Sequence, residues 1–186
     1  TGLSKGHINI GCTSCHLGDS HAMQKDEAHQ GMVAIPGNVV NMDQTCGVCH
    51  KEAVQNIRAS MMTTNSGIVS VDKYIFGERT SPDIPAHMAL IGHSAADEHL
   101  RNLCSHCHLG NEKTETGPVN QLSRGGGCNA CHLNYTAKGK KGHDSYLNDS
   151  TLLPSIHPSL DLNITNEHCF GCHSRSGRIA TNYEGY

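Results

Sequence analysis

All ten cysteines of this 186-residue chain fall in C-x-x-C pairs, at positions 12 and 15, 46 and 49, 104 and 107, 128 and 131, and 169 and 172. Histidine follows every pair at once: CTSCH, CGVCH, CSHCH, CNACH and CFGCH. No cysteine is left over. A disulfide framework accounts for many cysteines in an exported chain, but not for a histidine after each pair. Structural zinc uses such knuckles two to a metal, and five irregularly spaced knuckles do not divide that way. A thioredoxin-like motif occurs once, after a strand. The repeated C-x-x-C-H unit is the attachment signature of c-type haem. Both thiols add across the vinyl groups, and the adjacent histidine becomes the proximal axial ligand. The expected attachment residues are Cys12, Cys15, Cys46, Cys49, Cys104, Cys107, Cys128, Cys131, Cys169 and Cys172, and the expected proximal ligands are His16, His50, His108, His132 and His173.

The rest of the composition agrees with a core that is not made of protein. Aromatic residues are 4%, there is no Trp, the hydrophobic fraction of 36% already counts the cysteines, and mean hydropathy is -0.44. Five macrocycles would supply the flat apolar bulk that Trp and Phe usually provide. The expected fold is mostly irregular and α-helical, with few short helices and at most a small β-hairpin. A single five-haem unit over residues 1–186, either the whole protein or part of a longer chain, is expected around a haem-packed core. No apolar run approaches the roughly 18 residues of a membrane helix, so no spanning segment is expected. The opening TGLSKGHINI has no apolar h-region, so an exported protein would here be a mature form or a fragment. A net charge of -3 without a basic stripe argues against nucleic acid as a partner.

Between motifs the gaps are 29, 53, 19 and 36 residues, which excludes a repeat array of fixed period. The 19-residue gap is polar and Gly-rich and reads as loop. It is expected to bring haems 3 and 4 closest, with Gly125, Gly126 and Gly127 letting backbone pass a porphyrin face. The 53-residue gap carries Gly67 to Glu78, whose β-branched and aromatic residues around Asp72-Lys73 read as a hairpin. Ser94 to Asp97 reads as a capping box starting a helix with Leu100 and Leu103 on one face and Asp97 and Arg101 paired. Short helices are also expected at Ser20 to Gln30 and in the KEAVQNIRAS stretch after His50. Lys138 to Asp144 reads as a solvated basic loop.

Ten histidines remain beyond the proximal five, twice what five bis-His haems require, so Met61 and Met62 are not needed as ligands. His7 and His99 each lie five residues before a motif. His29 ends a helical stretch, and His143 and His157 stand alone in the fourth gap. These five, His7, His29, His99, His143 and His157, are the expected distal ligands. His106 sits inside a motif loop and should point away from its own haem. His168 abuts its own motif and could serve only a neighbour. His21, His87 and His93 are reserves.

The chain resembles the multihaem c-type cytochromes over its whole length. Two stretches, SRGGGCNACHLNY (Ser123 to Tyr135) and CHSRSGRIATNYEGY (Cys172 to Tyr186), resemble segments of large multihaem cytochromes from metal- and sulfate-respiring bacteria, in which the chain continues beyond the second segment. In those relatives, histidines placed like His143 and His157 are distal ligands. The resemblance implies five covalent haem c groups, periplasmic or cell-surface location and redox-protein partners. The leading expectation is electron transfer without catalysis. Two alternatives remain open: a subunit self-associating into an extracellular filament, and a multihaem reductase with one open haem.

Overall fold

The computed structural model describes residues 3–105, 108–120 and 123–173, with the backbone alone for His173. The described residues form nine short α-helices and a single pair of two-residue strands, joined by long irregular segments. The helices are α1 (Thr13–His16), α2 (Lys25–His29), α3 (Lys51–Ala59), α4 (Met61–Thr64), α5 (Ser66–Ile75), α6 (Ala95–Leu103), α7 (Cys128–His132), α8 (Ala137–Asn148) and α9 (Asn166–His173). Single 3-10 turns occur at Cys46–Val48 and Met88–Leu90. The strands β1 (Leu133–Asn134) and β2 (Ser159–Leu160) pair antiparallel, Leu133 opposite Leu160. They do not form a hairpin, because α8 and the segment after it lie between them. No helix among the described residues is long and apolar enough to cross a membrane.

The helices expected from sequence at Lys51–Ala59 and after Ser94 are present. Ser94 Oγ accepts the Asp97 amide at 3.3 Å, and the Asp97 carboxylate accepts the Ser94 amide at 3.4 Å, so the capping box is closed. The helix expected over Ser20 to Gln30 is confined to Lys25–His29.

Two segments differ from the sequence reading. The hairpin expected over Gly67 to Glu78 is instead helix α5. Its β-branched residues favour strands locally, but Val69 is needed in a core with Met88 and Leu100, all three fully buried or nearly so. Asp72 and Lys73 do not turn the chain. They sit mid-helix and face α6, where Asp72 Oδ1 lies 2.9 Å from His99 Nδ1 and Lys73 Nζ 2.5 Å from Asp97 Oδ1. Gly77, at φ +72, ends the helix: its amide donates to Tyr74 O and that of Glu78 to Lys73 O, the paired bonds of a Schellman cap. The second difference is Lys138 to Asp144, which is the body of α8 and not a loop. Thr136 caps it by accepting the Gly139 amide at 3.1 Å. Gly139 and Gly142 each cost about 1 kcal/mol of helix propensity, but Gly139 and His143, one turn apart, give the helix a buried face.

Arg101 pairs with Glu98 at 2.8 Å and not with Asp97, because Asp97 is turned inward to Lys73. Burial alone would push the Asp97 carboxyl up. Hydrogen bonds from Lys73, Ser94 and the amides of Gly92 and Ser94 outweigh it and pull the group down to about 2. A depressed carboxyl contributes stability that is complete above its ordinary value of 3.8 and is lost as pH falls toward 2. Protection of α5 and α6 amides against hydrogen exchange, taken relative to the intrinsic rate at each pH, should therefore fall between about pH 4 and pH 2. Asp97→Asn should flatten that acid dependence while weakening the helix pair at neutral pH. An acid profile unaltered by the substitution would remove this ion pair from the account.

Candidate functional site

The first, second, fourth and fifth cysteine motifs are each a single helical turn. In the first, the His16 amide donates to Cys12 O at 2.8 Å and that of Cys15 to the same carbonyl at 3.2 Å. In the second, His50 and Cys49 repeat both bonds on Cys46 O at 2.8 and 3.2 Å. The fourth motif is helix α7, and the fifth lies inside α9. The first, fourth and fifth are thus turns of α-helix, and the second is a 3-10 turn closed by the same pair of bonds. Residues at i, i+3 and i+4 lie on one face of such a turn, so both thiols and the following imidazole are presented together. In the third motif Cys104 caps α6 and packs on the Val69, Met88 and Leu100 core. His106 and Cys107 lie outside the described residues, as do the His173 side chain and the chain from 174 onward.

Three of the motif histidines are held from behind. His16 Nδ1 donates to Val33 O at 2.7 Å, His132 Nδ1 to Asp161 O at 3.0 Å, and His108 Nδ1 to Thr63 O at 3.3 Å. A carbonyl only accepts, so the proton sits on Nδ1 and the Nε2 lone pair is left to a metal, the arrangement that orients ligating imidazoles. Burial lowers the His108 pKa, and the nearby His87 imidazole lowers it further, against the bonds His108 makes to Thr63 O and to the Asn111 side chain. Both leave His108 neutral, as ligation needs. The sequence reading missed the three carbonyl holders, because any residue type can present a backbone oxygen.

Two expected distal histidines face expected proximal ones. The His7 and His50 ring centres are 6.1 Å apart with planes at 44°, and those of His16 and His157 are 6.0 Å apart at 76°. His157 Nδ1 donates to Pro158 O at 2.6 Å and His7 Nδ1 contacts Ser4 Oγ at 3.0 Å. Of the other three, His29 Nδ1 donates to Lys25 O at 2.7 Å. His99 holds Asp72 and lies 5.4 Å from the Phe76 ring. Both keep Nε2 clear of the hydrogen bonds described. His143 differs: it is buried in α8, and its Nε2 is 3.1 Å from Thr116 Oγ1. One reserve, His87, is also occupied at Nδ1, which accepts the Ala89 amide, and His168 Nδ1 likewise accepts the Thr165 amide.

The motifs gather around the segment 35–45. Thr45 Oγ1 donates to Pro36 O at 2.7 Å, and the Cys128 amide to Gly37 O at 2.9 Å. The buried Asn38 side chain brackets the Lys113 backbone, donating to its carbonyl at 2.9 Å and accepting its amide at 3.0 Å. The approach is so close that a Cβ on Gly127, at φ +53, would fall 2.1 Å from Gly37 O. Gly125 and Gly127 pass close to protein backbone, that of Asn111 and Gly37. The third and fourth motifs do lie together, the Gly127 amide donating to Leu109 O at 3.3 Å. The thiol that Cys128 meets, however, is Cys46 of the second motif. The two are hydrogen-bonded, which lowers the Cys46 pKa and raises that of Cys128. Helix α7 also packs on α9, and Arg124 Nε donates to Gly171 O at 3.1 Å, bringing the fifth motif against the fourth.

Among the described residues no three His, Cys, Asp or Glu side chains gather to hold a bare metal ion. Large apolar side chains instead stand exposed beside the motifs and the facing histidines: Val48 and Phe170 inside motif loops, Ile8 and Ile10 beside His7, and Leu152 and Leu153 near His157. Paired thiols, single imidazoles with a free nitrogen and adjoining apolar surface fit a flat apolar group bearing its own iron. No known family, no curated protein and no solved structure matches the chain.

Proposed function

We propose that the chain is an electron-transfer protein carrying five covalent haems, one on each C-x-x-C-H motif. The observation that carries this reading is the repeated unit itself: two thiols and an imidazole on one face of a helical turn, with the imidazole Nδ1 committed to a distant carbonyl in three motifs. When bound, each haem supplies a one-electron iron couple whose potential follows its axial ligands and exposure. The protein attaches the macrocycles through its cysteines, holds each proximal imidazole neutral and oriented, and offers apolar side chains to the ring edges. With most of the irons held by histidine on both sides, those haems would offer no position for substrate and would have low potentials. The setting is periplasmic or cell-surface, with other redox proteins as partners met through small transient contacts.

Carbon monoxide tests the reading. The oxidised protein should be low-spin throughout, and the reduced protein should bind no carbon monoxide near neutral pH. Stoichiometric binding at one haem, with nitrite or hydroxylamine turnover there, would make the protein a reductase instead.

A further inference from the structure

We propose a ligand exchange in which His7, beside the first motif, serves the iron of the Cys46–Cys49 motif, and His157, from the fourth gap, takes its place on that of the Cys12–Cys15 motif. This rests on the haem reading above and deepens it. Two imidazoles bound to one metal through Nε2 have ring centres on the order of 6 Å apart, from two nitrogen–metal bonds of about 2 Å and the radius of each ring. The His7–His50 and His16–His157 pairs stand at 6.1 and 6.0 Å. Their planes are inclined at 44° and 76°, so neither pair is a parallel stack.

The local structure explains why each histidine serves the remote motif. His7 is locked in a tight turn, with its amide on Ser4 O and its carbonyl accepting from Ile10. Ser14 Oγ in α1 donates to Ile10 O at 2.5 Å and ties that turn to the first motif. The turn and the motif thus form one block, and His7 projects from it toward His50. The two motifs adjoin, since Cys15 lies within electrostatic reach of Cys46 and Cys49. His157 precedes Pro158, which biases it to extended backbone, and β2 begins at Ser159. Pairing of β2 with β1 anchors it directly behind the fourth motif, and from there His157 reaches His16. On the far side His16 and His157 each donate Nδ1 to a carbonyl, Val33 O and Pro158 O, which leaves both Nε2 atoms to the shared iron.

The test uses the full holoprotein. In His7→Ala, one haem of five should become high-spin and bind carbon monoxide on reduction, and added imidazole should return it to low-spin. With isotope-labelled imidazole, NMR contacts should place the bound ring over the macrocycle whose thioethers are Cys46 and Cys49. His157→Ala should give the same response at the macrocycle on Cys12 and Cys15. If either variant fails to mature, His7→Met and His157→Met keep an axial ligand and should raise the potential of one haem, which contacts from the Met methyl group identify. A spectrum that stays wholly low-spin in the Ala variants, or a probe on any other haem, would overturn the exchange. Denaturing mass of the wild-type chain separates this from the underlying reading: fewer than five haems defeats the electron-carrier proposal, whereas five haems with ligands elsewhere defeats only the exchange.

Discussion

Under denaturing conditions the mature chain is expected to weigh its 20.0 kDa polypeptide plus five haems, with no thiol left to alkylate. The motifs leave no spare cysteine, and the first, second, fourth and fifth are each a helical turn, so nothing among these distinguishes a site that would stay empty. Losing that complement should have the largest effect of any change to this protein. Among the described residues only Ile35, Met42, Val54, Val69, Met88, Ala96, Leu100 and Ala130 form a buried hydrophobic core. Ordering a chain costs about 1–2 kcal/mol per residue in backbone entropy, and so few buried side chains do not offset it. The haem-free polypeptide should therefore be unfolded by circular dichroism, and Cys131→Ser, which removes one tether at the centre of the motif cluster, should sharply lower the yield of mature protein. A cooperatively folded haem-free chain, or a mature mass short of five haems, would contradict the account.

Leu100→Ala should be the most damaging single change that leaves every attachment residue in place. Leu100 is fully buried between α5 and the Met88–Leu90 turn, and the cavity left by such a truncation costs about 2–5 kcal/mol. At this chain length each kcal/mol lowers the melting temperature by about 2–4 °C. The haem count and the low-spin spectrum should not change, because α6 keeps its capping box and its glutamate pairing. An unchanged melting temperature would mean that the α5–α6 core carries little of the stability.

Much of this was legible in the sequence, and the rest was not for physical reasons. The capping box at Ser94 is local, so its residues announce it. The motif turns are also local, because two attaching thiols and one ligating imidazole on one face require that spacing. Helix α5 was hidden because its Val and Ile content favours a strand until Val69 meets Met88 and Leu100, although Gly77 after Ile75 and Phe76 was a readable stop signal. Helix α8 was hidden by its glycines and lysines, although Thr136 was a readable cap. The holders of the proximal imidazoles were not readable at all. His16 depends on Val33, His108 on Thr63 and His132 on Asp161, and a backbone carbonyl has no residue signature. Which histidine faces which motif depends likewise on contacts remote in sequence.

The grip of Gly37 and Asn38 on Cys128 and Lys113 has a consequence for how the protein comes into being. A chain exported from its N-terminus presents residues 35–45 well before their partners emerge. Contacts of such wide sequence separation slow folding, and until they form the early segment is open to proteases and to mispairing of its four thiols. In an exported haem protein, maturation of the first two motifs would thus run ahead of the scaffold that secures them, and the cell would have to guard a half-made chain until the fourth motif arrives.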